Sequence, residues 1–288
     1  MGIVIALLML IAAAFLLRSE WEKVQLSKIE YTVKTDKCTP KTFVFISDLH
    51  DYLPVRHDME KITRMIDGAG PDAVLIGGDM ITMSKSAKPG SPAVTEWALK
   101  LSGELSKKYP VYYAEGNHET RFLEKNPEGY ADFVSELLSM GVKYIPENSL
   151  SFEDVVISGV RVPAQCYKPI LFKSPEEIRL PDGYLKESLE GFDRDKFNIL
   201  LMHSPRYLHE ASELGVDLVL SGHMHGGTIR LPDGSGLMTP QYQFLVKECS
   251  GEFTEGGTRM IVNRGLGTHS IKIRFNDIPE VSVIHIEN

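Results

Sequence analysis

Residues 43–50 read FVFISDLH. The apolar run Phe43–Ile46 has strand length and a β-branched and aromatic make-up, which predicts a buried strand. It ends abruptly at Asp48 and His50, side-chain types that bind hard or borderline metal ions. Where a strand opens into a loop, positions two apart can point both side chains at one locus. The same grammar recurs along the chain. AVLIGGD (73–79) ends at Asp79, VYYAEGNHE (111–119) reaches Asn117, ILLMH (199–203) ends at His203, and LVLSGHMH (218–225) carries His223 and His225. An isolated strand-end Asp is more often a turn or helix-cap residue, and an isolated histidine is more often a satisfied core residue. Five strand ends bearing carboxylate, imidazole and amide groups instead predict one site assembled by the fold and holding more than one metal ion. In open α/β sheets, ligands collect beyond the carboxyl ends of the strands.

Between these runs lie helical patterns. One spans about 57–69, with Met59, Ile62, Met65 and Ile66 on a single face; another spans about 94–108, with Trp97, Leu101 and Leu105 in a stripe. Further helices are expected near 130–140 and 205–214. Such a βαβαβα rhythm argues a layered, largely parallel α/β core. Short strands are expected over 143–162. Residues 163–196 are irregular and contain Pro163, Pro169, Pro175 and Pro181, and the last sixty residues read as strands with Gly-rich turns. The organisation expected is an apolar N-terminal segment (1–20), a polar β-prone lead-in (21–40) and one domain (41–288).

The 288 residues carry a net charge of −8 and no long basic block, so a nucleic-acid footprint is absent. Cys38, Cys166 and Cys249 are far apart and outside any C-x-x-C pair, which argues against a disulfide scaffold and a cysteine-zinc site. Residues 3–17, IVIALLMLIAAAFLL, are uninterruptedly apolar. The run is short for a spanning helix, which needs about 17–25 residues. No Lys or Arg precedes it, and no small-residue cleavage site follows it. An uncleaved membrane anchor is therefore preferred over a signal peptide. Arg18, Lys23, Lys28 and Lys34 follow the run, which places the remainder on the cytoplasmic side, with export as the alternative.

The ligand types include no thiolate and suit Mn, Fe, Zn, Co or Mg. They are too many for one tetrahedral ion. DLH, GGD, GNHE, the lone strand-end histidine and GHMH follow the order and spacing of the calcineurin-like metallophosphoesterases, which the chain resembles over residues 41–288. LSGHMHGGTIRLP (220–232), NRGLGTHSIKIRFNDIPEVSVIHI (263–286) and the apolar N-terminus resemble the membrane-associated YkuE/YaeI-type branch. That branch includes UDP-2,3-diacylglucosamine pyrophosphohydrolases.

The resemblance implies a four-layer α-β-β-α sandwich, with two mixed sheets flanked by helices. It implies two divalent ions, manganese first, with Fe, Zn, Co and Mg as alternatives. Asp48, His50 and His225 would hold one ion; Asn117, His203 and His223 would hold the other; Asp79 would bridge them. His118 would be the catalytic residue, contacting the phosphate and serving as leaving-group acid. The activity implied is hydrolysis of a phosphodiester or pyrophosphate bond by a metal-bridging hydroxide. A membrane-proximal substrate such as UDP-2,3-diacylglucosamine is expected, with another lipid or nucleotide substrate as the alternative and a non-catalytic membrane-tethered scaffold as the contrasting class. Asp51 stands where many relatives have glycine, and GNHE replaces GNHD. Asp51, Glu119 and His269 are candidates for orienting the ligands through hydrogen bonds. Tyr167, Phe172, Tyr242 and Phe244 are candidates for an acyl-chain contact or, alternatively, for covering the core edge.

Overall fold

The computed structural model describes residues 1–50, 59–170, 178–189, 191–268 and 271–288. The strands of the first half are β1 (Ser27–Lys34), β2 (Lys41–Ile46), β3 (Ala73–Ile76), β4 (Val111–Tyr113), β5 (Lys143–Tyr144), β6 (Ser149–Phe152) and β7 (Val155–Val160). Those of the second half are β8 (Phe197–Met202), β9 (Leu218–Ser221), β10 (Gly236–Met238), β11 (Phe244–Val246), β12 (Gly251–Glu255), β13 (Thr258–Val262) and β14 (Glu280–Glu287). The helices are α1 (Gly2–Lys23), α2 (Met59–Ala69), α3 (Glu96–Ser106), α4 (Asn117–Lys125), α5 (Pro127–Ser139), α6 (Tyr184–Ser188) and α7 (Leu208–Leu214).

Two six-stranded sheets face each other, in the orders β1-β14-β2-β3-β4-β5 and β12-β13-β9-β8-β7-β6. Each is mixed. β2 to β5 run parallel, while β14 is antiparallel to β2; in the other sheet β7, β8, β9 and β13 run parallel between antiparallel edge strands. The alternation of strand side chains divides the core into three layers. Phe43, Phe45 and Leu75 from one sheet meet Ile199, Leu201, Leu218 and Leu220 from the other in the central layer. Val44, Ile46, Val74 and Ile76 point outward against Ile62 and Ile66 of α2, Leu101 of α3 and Leu137 of α5. Leu200, Met202, Val219 and Met260 point the other way, against Leu185 of α6 and Leu208 and Ala211 of α7. This is the four-layer α-β-β-α arrangement. It follows from strands buried on both faces, which read as continuous apolar runs.

Several local readings differ from the structure. β4 stops at Tyr113, and Asn117 and His118 open a helix, α4, that has no counterpart in the sequence reading. The helix expected from 130 begins at Pro127, because Asn126 caps it by accepting the Gly129 amide at 3.0 Å and proline suits the first turn. The helix expected over 205–214 is a 3₁₀ turn at Pro205–Tyr207 followed by α7. The lead-in supplies β1, which pairs parallel with β14 as an edge of the first sheet. In the irregular stretch, Tyr167, Leu180, Leu185 and Leu189 are buried against the second sheet, so its described part closes the core.

α1 projects from the body with its apolar residues exposed, and only Ser19, Glu22 and Lys23 are buried. Its last turns dock on residues 272–277. Phe15 stacks on Phe275 with ring centroids 4.7 Å apart. Ser19 Oγ accepts the Arg274 amide at 3.0 Å, Glu22 Oε2 accepts the Asp277 amide at 2.8 Å, and Lys23 Nζ donates to the Lys272 carbonyl at 3.2 Å.

Candidate metal centre

The seven strand-end residues converge. Asp48 and His50 follow β2, Asp79 follows β3, His203 follows β8, and His223 and His225 follow β9, while Asn117 opens α4 one loop beyond β4. All seven are buried. Ligand-type atoms of Asp48, His50 and His225 lie within 4.8 Å of one another, as do those of His50, Asp79 and His118, and those of Asp79, His203 and His223. His203 Nε2 is 3.3 Å from Asp79 Oδ2 and 3.7 Å from Asp48 Oδ1; His225 Nε2 is 3.3 Å from Asp48 Oδ1. His50 Nε2 is 3.8 Å from Asp79 Oδ2, so Asp79 stands between the two groups.

The backbone is bent to achieve this. Asp48, His50, Asp79, His223 and His225 all have positive φ, between 46° and 68°. Side chains other than glycine rarely adopt this region, and such conformations cluster at functional sites. Two glycines permit the close approach. A Cβ on Gly222 would collide with the Asp48 carboxylate, and one on Gly116 would collide with the Asp79 carboxylate.

Surrounding hydrogen bonds orient the ring and carboxylate atoms. His203 Nδ1 lies 2.7 Å from the Gly77 carbonyl and donates to it, which leaves Nε2 as the nitrogen facing the carboxylates. Asp48 accepts from Ser47 Oγ at 2.5 Å and from the His223 amide at 3.0 Å. Asp79 Oδ1 accepts the His118 amide at 2.7 Å. The Met83 amide donates to His118 Nδ1 at 2.8 Å, so the hydrogen of the neutral ring sits on Nε2, which is 4.0 Å from Asp79 Oδ2. Glu119 accepts from the Asp79, Met80 and Gly116 amides at 2.9–3.0 Å and from the Tyr113 hydroxyl at 2.7 Å. Asp51 and His269 lie outside the described residues, as does Phe172.

Burial pushes the Asp48 carboxyl up to about 6, against the pull of the His203 imidazole. Burial acts on Asp79 in the same direction, but His203 and His118 outweigh it and hold that carboxyl well below its usual range. Burial opposes charge on His203, yet Asp79 and Asp48 together raise the ring to about 10. Without a cation, the two carboxylates therefore draw positive charge onto an imidazole. The donor set fits divalent ions on a second ground as well: Asn117 Oδ1 is buried and has no hydrogen-bond partner among the described residues, a state that in proteins points to an ion or water.

The support beneath Asp48 was not legible in the sequence. Arg274 is fully buried; its Nη2 donates to the carbonyls of Arg264 at 2.9 Å, Gly265 at 3.0 Å and Gly267, and its Nη1 pairs with Asp277 Oδ2 at 3.1 Å. The loop held in this way returns the Gly267 amide to the Asp48 carbonyl at 2.7 Å. A lone Arg in a predicted loop gives no signal of such a role; only the tertiary fold brings the carbonyls together.

A family model described as calcineurin-like phosphoesterase matches residues 41–227. The chain is 27% identical over 270 residues to the uncharacterised metallophosphoesterase YkuE of Bacillus subtilis, covering 90% of this chain and 85% of that one. It is 24% identical over 282 residues to the UDP-2,3-diacylglucosamine pyrophosphatase LpxG of Chlamydia trachomatis, covering 84% and 82%. Among solved structures, TT1561 of Thermus thermophilus superposes with a TM-score of 0.50 at 18% identity, covering 79% of this chain and 91% of that one, a likeness of fold.

Proposed function

This chain belongs to the calcineurin-like phosphoesterase family and is thus a metal-dependent hydrolase of phosphoric esters, and from that premise we propose a two-metal phosphohydrolase acting on a membrane-proximal substrate. The observation that carries the reading is the convergence of two ligand groups on Asp79, with Asp48, His50 and His225 on one side and His203 and His223 on the other. Asn117 completes the second group through its unpartnered Oδ1. Two divalent cations there, manganese foremost, would supply Lewis-acid charge and lower the pKa of water. The lack of thiolates supports a hard or borderline ion.

The chain's own residues position the reaction. Hydrolysis adds a water oxygen to phosphorus and breaks the bond to the leaving oxygen. His118 presents Nε2–H beside Asp79, and the Met83 amide occupies Nδ1. A protonated ring would set an N–H of its own against the Met83 N–H. This supports His118 as a neutral donor to a phosphoryl oxygen over His118 as a proton donor to the leaving group. A preorganised donor in a water-poor site stabilises the charge that develops in the transition state.

The apolar α1 supports membrane attachment. Residues 2–17 rise about 24 Å at 1.5 Å per residue, most of a hydrocarbon core of about 30 Å. The contacts of Ser19 and Glu22 with Arg274 and Asp277 favour a retained anchor over a removed signal. The distribution of basic residues favours a cytoplasmic domain. Likeness to LpxG supports a nucleotide-linked lipid such as UDP-2,3-diacylglucosamine as substrate.

The test is metal analysis of the full-length protein combined with turnover of bis-p-nitrophenyl phosphate and of UDP-2,3-diacylglucosamine, scored as UMP release. Asp79→Asn is expected to lose metal and turnover together. His118→Asn is expected to keep metal and lose about 10²–10³-fold in kcat. That loss should be similar for good and poor leaving groups; a loss confined to poor ones would restore the acid role. Absence of turnover with metal verifiably bound would favour a scaffold.

A further inference from the structure

A cleft of about 310 Å³ opens directly beside the candidate metal centre, lined by Lys85, Arg121, Glu124, Tyr167 and Lys168 together with Asn117. Three cations face one carboxylate there, in a chain whose net charge is −8. Among the described residues, none of the three cations forms an ion pair with an acid. Arg121 spends one nitrogen on the Met83 carbonyl, at 2.7 Å. Burial and the neighbouring Arg121 guanidinium both depress the Lys85 ammonium, so the two cations crowd each other.

Tyr167 supplies an independent observation. It is 8% exposed, its ring packs edge-on against His223 with centroids 4.8 Å apart, and its hydroxyl is buried with no hydrogen-bond partner among the described residues. A phenol hydroxyl is a hydrogen-bond donor at neutral pH. A buried donor without a partner, beside crowded cations, suits an anionic acceptor.

The cleft and the centre are built from the same pieces. Arg121 lies three residues after His118 on α4, on the same side of the helix. Lys85 lies on the loop that begins at Asp79, and the Met83 of that loop both orients His118 and receives Arg121. Tyr167 touches a candidate ligand directly. An anion in the cleft and one at the metals would therefore be close enough to belong to a single molecule.

We propose that Lys85, Arg121, Lys168 and the Tyr167 hydroxyl form a subsite for a second phosphate adjacent to the one hydrolysed, so that the preferred substrates are phosphoanhydrides, esters joined through pyrophosphate, over isolated phosphodiesters. The proposal rests on the phosphohydrolase reading above and specifies its substrate class. Guanidinium and ammonium donors recognise phosphate oxygens through charge-assisted bonds.

The experiment uses full-length, manganese-loaded protein, with Lys85→Gln, Arg121→Gln and the double variant. One arm compares kcat/KM for UDP-N-acetylglucosamine, which carries a pyrophosphate, with that for bis-p-nitrophenyl phosphate, which carries one phosphate. Each single substitution is expected to lower the ratio of the two about tenfold, chiefly through the KM of the anhydride, and Arg121→Lys is expected to restore part of it. Losses that leave the ratio unchanged, or no loss at all, overturn the subsite. A second arm measures binding of methylenediphosphonate against methylphosphonate by calorimetry. The wild type is expected to prefer the diphosphonate by about tenfold or more, and the double variant to lose that preference. No preference, or one the double variant retains, overturns the proposal. Turnover of neither ester would sink the hydrolase reading, while the binding arm would still decide the subsite.

Discussion

Glu119 illustrates how one carboxylate organises two loops. It gathers the amides of Asp79 and Met80 after β3 and of Gly116 before α4, and takes the Tyr113 hydroxyl besides. A carboxylate is all acceptor, and burial pushes this one up to about 7, so nearby cations would help keep it ionised. Glu119→Gln replaces one acceptor oxygen with a donor facing N–H groups. We expect metal affinity to fall about 10–100-fold, read by metal titration, because supporting partners of metal ligands carry effects of that size. At this scale much was legible. Asp48, His50, Asp79, His203, His223 and His225 announce themselves by ending apolar runs, and GNHE marked Glu119 as an orienting candidate. Arg274, Lys85, Arg121 and Lys168 gave no such sign, because a lone cation in a loop acquires meaning only from carbonyls or cations that are distant in sequence. Tyr167, a candidate for acyl-chain contact or for covering the core edge, is buried in the core beside the second sheet and packs on His223.

The strands are straight carriers whose ends carry the distortion. Five candidate ligands with positive φ sit at the close of β2, β3 and β9, while the strands themselves are ordinary and almost wholly buried. Such backbone persists only where the surrounding packing imposes it. Gly222 is part of that packing, since a Cβ there would enter the space of the Asp48 carboxylate and Ser47. Gly222→Ala is expected to destabilise the fold by about 1–3 kcal/mol through overpacking and to reduce bound metal, measured by thermal denaturation and metal analysis. Undiminished metal content would show that the loop relaxes without moving Asp48. Apolar runs betrayed the long strands before any contact was known. Besides the short α6, the element missed was α4, because GNHE follows a strand so closely that the run and the helix start merge. Its first turn nevertheless holds Asn117 and His118, and its second holds Arg121.

The whole molecule is two sheets whose loops meet at a charged, buried centre. With the cations removed, Asp48 and Asp79 remain buried together, and buried like charges oppose folding. Metal that binds only the folded chain stabilises it by RT ln(1 + [M]/Kd), about 2.7 kcal/mol at a hundredfold excess over Kd. Chelation should therefore lower the melting temperature by about 5–10 °C, and manganese should restore it. A melting curve indifferent to chelator would count against cations as part of the native structure. The layered architecture was foreseeable from alternating strand and helix patterns. The pairing of β1 with β14 was not, because it joins residues near opposite ends of the chain.

The docking of α1 has a consequence for how the molecule searches. Phe15, Ser19, Glu22 and Lys23 clamp the helix to residues 272–277, the segment whose Arg274 steadies the loop under Asp48. No free linker separates the helix from the body at these contacts. With α1 in a bilayer, the centre would ride at a fixed height above it and sweep a plane rather than a volume. Lipid-borne substrates would be met by lateral diffusion, so turnover should depend on substrate per unit area of membrane, and diluting the surface with inert lipid should slow it even when the bulk concentration is unchanged.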